Sequence, residues 1–558
     1  MADENNTTEP STRALTRRQI VAGGTAAAAL VGLAACGSDD EGATTETTAA
    51  GGTETTAGGG TETTAGGTET TAASGEGKTG GTLRVAVVGS TNDVIDGQYI
   101  VAKPDQARLV LGWEPLVNYD ADFNISYEHS LAENVEVVAA DHYIITLKEG
   151  ITFHNGNPVT ADDVIYSFER RLDPDLGLAP ALSVLLDKSG LTKVDDRTVD
   201  VKLLQPAVTF LNGLAEYTAT VVPVGYTREG EQIGTGPFML KSFTSGAESV
   251  HVRYDGYWGG AAYLDEVQII DFADAAAAVN AFTSGQVDAM VDLPFAQAEA
   301  VKGSSDLTLL VSEAGSWLPI TMAIDQAPFD DVRVRQAMRL IPNREQMVQQ
   351  VLSGYGSVGN DMYGKLDGSY PKDLPQREQD IEAAKALLAE AGQENLTIDL
   401  FAPDDTAGLP EMAAAFAQMA KEAGVTVNVK VLDGGTYWGE QYTKYTFATS
   451  FWGTRPYLNQ VAAGSLKDAV YPETHWPPAD SDFADKYLAA IAETDQDKRY
   501  AIIEEMQTEE YEDGGNIIWG FNNLLDAHAN YVMGFEARPN VLNLDHFGRG
   551  MKRIWLDV

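Results

Sequence analysis

The chain has 558 residues, and the region from 81 onward is long enough for two or three domains with sizeable cores. It carries 38 Lys+Arg against 82 Asp+Glu, a net charge of −44, which makes it a poor candidate for binding nucleic acid or anionic lipid surfaces. Its single cysteine, Cys36, excludes an internal disulfide and a cysteine-based metal centre.

In chain order, the first feature is "TRRQIVAGGTAAAALVGLAAC". Arg17 and Arg18 form a positive segment, and Ile20 to Ala35 is an apolar run sized for a signal peptide, too short for a comfortable membrane span. Leu33-Ala34-Ala35-Cys36 resembles the lipobox of bacterial lipoproteins, in which the Cys is acylated and becomes the mature N-terminus. The Arg pair followed by Gln19, Ile20 and Val21 resembles a twin-arginine export signal. A plain secretory signal, or a membrane anchor with an incidental Cys, are the alternatives. Residues 42–81 follow, with four copies of Thr-Glu-Thr-Thr-Ala and almost no large apolar side chains. Nothing there offsets the entropy of ordering a backbone, so the segment reads as a disordered tether. Its reach is roughly 35–40 Å. The remaining acids are spread along the chain, as on a solvated, salt-adapted surface.

"TLRVAVV", Thr82–Val88, reads as a buried strand. It stops at "GSTNDVIDG", a loop of small polar residues in which Thr91 and Asn92 are candidate ligand contacts. Val135–Val138 with Tyr143–Leu147, and Lys193–Val194 with Thr198–Leu203, read as hairpins. "VTADDVIYSFERRL" reads as a helix with Thr160 as N-cap, Asp163 completing a capping box, and Val164, Phe168 and Leu172 on one face. "DAAAAVNAFTSGQVDAMV" reads as a helix capped by Asp274, closed by Gly285 and followed by a strand.

The clearest unit spans residues 395–432. "LTIDLF" alternates apolar and polar residues, "PEMAAAFAQMAKEAG" places Met412, Phe416 and Met419 on one face, and "VTVNVKV" alternates again. Strand, helix and strand of these lengths predict a right-handed crossover and a parallel pair. Ligands of open α/β sheets gather beyond the carboxyl ends of such strands. Here that place is "APDDTAGL", residues 402–409.

Several catalytic signatures are absent. "GYGSVG", residues 354–359, matches G-x-G-x-x-G, but it follows a helix-like segment capped by Asn343 and no helix follows it. It therefore reads as a flexible glycine loop rather than a dinucleotide site. No H-E-x-x-H and no G-x-S-x-G occurs. "FHNGNP", residues 153–158, reads as a turn between a strand and the capped helix.

Five stretches resemble the extracellular solute-binding proteins, family 5, the dipeptide, oligopeptide and nickel receptors of ABC importers. They are "YIITLKEGITFHNGNPVTADDVIYSFER" (143–170), "IGTGPFMLKSF" (233–243), "YDGYWGGAAYLDEV" (254–267), "APFDDVRVRQAMRL" (327–340) and "EAAKALLAEAG" (382–392). The resemblance implies an α/β, two-lobed periplasmic-binding-protein-like fold with an inserted subdomain and a cleft closed by a hinge. By analogy, residues 1–35 are a signal peptide and 36–80 a lipidated Cys with its tether. Lobe one is 81–117, 226–323 and 523–558, the inserted subdomain is 118–225, and lobe two is 324–522.

In dipeptide-binding relatives the loop after the first strand of the parallel unit carries an Arg for the ligand carboxylate, and a later loop after a Trp carries an Asp for the ligand amine. Here the first loop holds Asp404 and Asp405 without Arg, and the second, "SFWGTRPYLNQ", holds Trp452 and Arg455 without Asp. The charges are exchanged. Trp452 offers a stacking face, Arg455 a two-pronged donor for a carboxylate or phosphate, and Trp317 a third cleft residue. For Trp317 and Trp452 the alternative is core packing, and for Arg455 a surface ion pair. The expected protein is a monomeric receptor with no cofactor, partnered by a peptide-like or other small organic solute with an anionic end, by an ABC permease, and by the membrane through lipid on Cys36. A lipid-anchored hydrolase using a cleft carboxylate pair, for instance on glycans, and a chemoreceptor subunit are the alternatives.

Overall fold

A computed structural model describes residues 77–89, 93–120, 123–404, 406–537, 543–546 and 548–558. The signal segment, Cys36 and the tether up to residue 76 lie outside the described residues, whereas the end of the expected disordered stretch is held to the body, with Lys78 paired to Asp557 at 2.6 Å and the Gly80 N–H bonded to the Tyr263 carbonyl at 2.8 Å. Thr82–Val88 is a strand with Leu83, Val85, Ala86 and Val87 fully buried. It pairs in parallel with Glu266–Phe272 on one side and Ala289–Met290 on the other. The helix between those two neighbours, Ala275–Thr283, begins where Asp274 accepts a 2.8 Å bond from the Ala277 N–H and ends before Gly285 at φ 76°. In spatial order the first sheet runs 307–317, 520–529, 289–290, 82–88, 266–272, 248–253, 238–244, with 356–358 also paired to 520–529.

Residues 132–202 contain a separate four-stranded antiparallel sheet built from the two expected hairpins. The helix Ala161–Arg171 packs its Val164 and Phe168 into the core beside that sheet. Its capping box is present: the Asp163 carboxylate accepts the Thr160 N–H at 2.9 Å and the Thr160 hydroxyl at 2.8 Å. "FHNGNP" is a turn, and His154 links it to the rest of the chain. One ring nitrogen bonds the Gly236 carbonyl at 2.9 Å, and the other accepts the Gly234 N–H at 3.1 Å. Burial lowers this histidine to about 4, so it is neutral and serves as a clamp.

The second sheet runs 426–432, 397–403, 447–449, 320–322, 516–517. Its first two strands are parallel, from Thr397↔Thr426 to Pro403↔Leu432, and the helix Leu409–Ala420 crosses between them. That helix buries Met412, Phe416 and Met419, as its periodicity requires. Val431, by contrast, is exposed because Thr426–Leu432 lies at the sheet edge.

Two short segments carry the chain between the large sheets. Leu318–Pro319 links Leu307–Trp317 to Ile320–Met322, and Ile518–Trp519 links Asn516–Ile517 to Gly520–Ala529. The ladders run on either side of this break, with Trp317 opposite Phe521 and Ile320 opposite Ile517. The glycine motif at 354–359 lies against the second crossing. It is a paired strand, Gly356–Val358, not the flexible loop expected from its composition. A Cβ at Gly356 would sit 2.5 Å from the Phe521 carbonyl oxygen, and one at Gly359 would sit 2.4 Å from that of Ile518. The glycines are there for close backbone approach.

Candidate functional site

The strand Phe447–Thr449 runs parallel to Thr397–Pro403, so the loops after both leave from the carboxyl end of the second sheet. The loop after Phe447–Thr449 is bonded to the end of the first sheet. Trp317 and Trp452 exchange main-chain bonds of 3.0 and 2.9 Å, and the Gly315 N–H donates to Thr454 Oγ1 at 2.9 Å. Two of the residues proposed from sequence, one from each sheet, therefore meet at the crossings.

Their rings continue a stack. Trp317 lies 6.1 Å from Trp452 and 5.5 Å from Tyr363, both at 14° between planes, and Tyr363 lies 5.2 Å from Tyr457 at 15°. Offset stacking of this kind adds about 0.5–1.5 kcal/mol per pair beyond burial. Trp317 and Trp452 are themselves buried. Each end of the stack is held by a carboxylate. Glu473 accepts the Trp452 indole N–H at 3.0 Å and the Ser450 hydroxyl at 2.6 Å. Glu510 accepts the hydroxyls of Tyr363 and Tyr457 at 2.6 and 2.7 Å. Burial raises Glu510 to about 7, against the lowering effect of those hydrogen bonds.

Arg455 sits above this stack, with its guanidinium carbon 5.2 Å from the Trp452 ring centroid. It is half-buried, and its one hydrogen bond, to Gln460 Oε1, is long at 3.5 Å. Among the described residues no carboxylate lies within ion-pair distance of it, although the chain carries 82 acids. The Tyr217 hydroxyl is buried without a partner, and burial together with Glu216 raises its pKa while the charge of Arg455 opposes that rise. A fixed cation with uncommitted donors, an aromatic support and an unpartnered hydroxyl within range of its field thus come together at the junction.

Of the other sequence candidates, Asp404 alone is among the described residues. Asp404 is exposed, and its carboxylate accepts the Gly434 N–H at 3.1 Å. Gly434 follows the edge strand, so this bond turns Asp404 toward that neighbouring loop. Thr91, Asn92 and Asp405 are outside the described residues. Sequence reasoning missed Tyr217, Tyr363, Tyr457, Glu473 and Glu510. For Glu510 a signal existed: Ile503, Met506, Gln507, Glu510 and Tyr511 recur at helical spacing and form the buried face of Gln496–Asp513. Among the described residues no group of three or more His, Cys, Asp or Glu could hold a metal ion, and no helix is long and apolar enough to cross a membrane.

Two α/β lobes joined by short crossings, with aromatic and charged side chains converging where they meet, define a solute-binding protein of the hinge-closing kind. The chain belongs to the bacterial extracellular solute-binding proteins, family 5, whose middle-region family model matches residues 126–465. It is 26% identical over 484 residues to the glutathione-binding protein GsiB of Pectobacterium atrosepticum, covering 82% of this chain and 92% of that one. It is 25% identical over 486 residues to the dipeptide-binding protein of Escherichia coli, covering 78% and 88%. The ABC transporter substrate-binding protein CtaP of Listeria monocytogenes shares the fold, with a TM-score of 0.77 and 20% identity over 86% of this chain and all of that one. The chain is thus a solute-binding receptor of the ABC-importer class.

Proposed function

We propose that this receptor captures a small peptide-like solute with an anionic end between its lobes and delivers it to an ABC permease, without chemical turnover. The carrying observation is Arg455, half-buried on the Trp452 ring with no carboxylate partner among the described residues. The peptide-like class is supported by relatives named for glutathione and dipeptides. Lobe one comprises 81–117, 226–323 and 523–558, and lobe two 324–522, with 118–225 inserted between segments of lobe one. Closure about the crossings brings the anionic end of the solute against Arg455. The test is mass spectrometry of whatever co-purifies with the exported protein. A retained solute bearing a carboxylate or similar anion is the expected result, and a retained cation or metal complex would overturn the reading.

The receptor is proposed to work as a monomer on the outer face of the cytoplasmic membrane, exported by the twin-arginine route and anchored through lipid on Cys36. The tether lets the body turn while keeping it near its permease. Cys36→Ser is expected to leave the folded body intact and release it from membranes. Fractionation after a high-salt wash checks this, and a Ser variant that stays with the membrane would defeat the anchor. Replacing both Arg17 and Arg18 by Lys is expected to block export, and unimpaired export would indicate the general secretory route.

A further inference from the structure

Residues 118–225 are bonded firmly to lobe one. Arg170 donates to Asp96 at 2.6 Å, and the Gln98 carboxamide donates to the Ser167 and Thr220 carbonyls at 3.2 and 2.8 Å, all of them buried. The inserted subdomain therefore moves with lobe one when the crossings flex. It also touches lobe two, where the Val208 N–H donates to the Ile491 carbonyl at 2.8 Å.

Each partner is prepared for this bond by its own body. Ala207 is fully buried, donates its N–H to the Ala140 carbonyl at 2.8 Å, and accepts the Tyr143 hydroxyl at 2.9 Å. Its carbonyl also accepts the Phe210 N–H at 3.0 Å. Val208, at φ −60° and ψ −23°, is thus the second residue of a tight turn on a fixed mount. On the other side, Ile491 lies in the last turn of the helix Phe483–Ala492, where carbonyls lack the donor of a following turn. Nearby carbonyls are served from within lobe two. The Glu493 N–H reaches Ala490 at 3.3 Å, and Arg499 reaches Glu493 and Thr494 at 2.8 and 3.4 Å. The donor for Ile491 comes from the other body.

Beside this joint a cavity of about 440 Å³ separates the two bodies, with Val208 and Thr209 on one wall and Thr494 and Arg499 on the other. Val208 and Thr209 are half-buried, and Thr494 is exposed. An extensive dry interface would hold the bodies together permanently, whereas a main-chain bond beside a gap is made and broken at modest cost.

We propose that the Val208–Ile491 bond is a latch, formed when the lobes close and favouring the closed arrangement whatever solute lies within. The proposal rests on the two-lobe reading given under Proposed function. Neither residue belongs to the aromatic stack or touches Arg455, so the latch adds to closure without choosing among solutes. It acts by raising the closed fraction of the receptor before any solute arrives.

The test uses the full chain with Cys36→Ser, and spin labels on Val194→Cys in the inserted subdomain and Asp497→Cys in lobe two, both exposed positions. Double electron–electron resonance reads their separation in protein shown by native mass spectrometry to hold no solute. Val208→Pro removes the N–H and keeps the turn, because proline suits φ −60° at this position. It is expected to shift the open-to-closed ratio about 3- to 10-fold toward open. Val208→Ala keeps the N–H and is expected to match wild type. If Val208→Pro fails to fold, as judged by its melting curve, hydrogen exchange at the Val208 amide of solute-free wild type decides the matter. Slowing by at least about 10-fold relative to an unprotected amide is expected, and exchange at the unprotected rate would overturn the latch. Identical separations in wild type and folded Val208→Pro would also overturn it. That result would leave the solute reading standing, since the charge of the co-purifying solute decides that reading independently.

Discussion

Raising the pH from 4.5 to 8 is expected to remove about 3 kcal/mol of folding free energy through Glu510 alone. Its carboxyl moves from an ordinary 4.5 to about 7 on folding, chiefly because it is buried. Between those values the folded chain holds a proton that the unfolded chain has released, so each rise in pH favours unfolding. Below 4.5 both states are protonated and this contribution to stability is complete. Above 7 both are ionised and it has been lost. Asp271, raised to about 7 by burial and by its hydrogen bond to Asp93, and Asp526, raised to about 6 by burial and by Asp292, act in the same direction. Glu510→Gln isolates the first contribution. The amide mimics the protonated acid between the Tyr363 and Tyr457 hydroxyls and cannot ionise. Urea unfolding at pH 4.5 and pH 8 should then show wild type losing about 3 kcal/mol more than the variant across the interval. Equal losses would mean that the stack rests on an ionised Glu510.

Arg455→Ala is expected to weaken solute binding by about 30- to 150-fold, the 2–3 kcal/mol of a charged hydrogen bond lost from a closed, desolvated cleft. The unliganded protein should lose no more than about 1 kcal/mol, because the guanidinium makes no ion pair among the described residues and only a ring contact and one long bond would go. Arg455→Lys should recover part of the affinity, since an ammonium supplies charge without the planar fork. Calorimetric titration of the three proteins with the co-purifying solute measures this. Equal affinities would remove Arg455 from the site and with it the expectation of an anionic end.

The two predictions differ in how far the sequence led to them. Arg455 stands out in the sequence because it follows a Trp and is the one charged residue of the loop "SFWGTRPYLNQ". That it has no carboxylate partner among the described residues is visible only in three dimensions, since the sequence offers 82 acids as partners. Asp404 stands out equally in the sequence, and the fold commits it to the Gly434 N–H. The stack draws Trp317, Tyr363, Trp452 and Tyr457 from three chain segments, and no local periodicity relates them.

What the sequence determined by itself was everything governed by short-range geometry. The parallel unit at 397–432, the capping box of Thr160 and Asp163, the cap at Asp274 and both hairpins follow from side-chain period and from the orphan donors of helix ends, which act over a few residues. The tertiary structure alone decided which side chains share a low-dielectric site. It buried Glu510 against the Tyr363 and Tyr457 hydroxyls, left Arg455 without an acid among the described residues, and turned the 354–359 glycines from a loop into a strand. Burial and close backbone approach depend on residues more than a hundred positions away, and no window of sequence contains them.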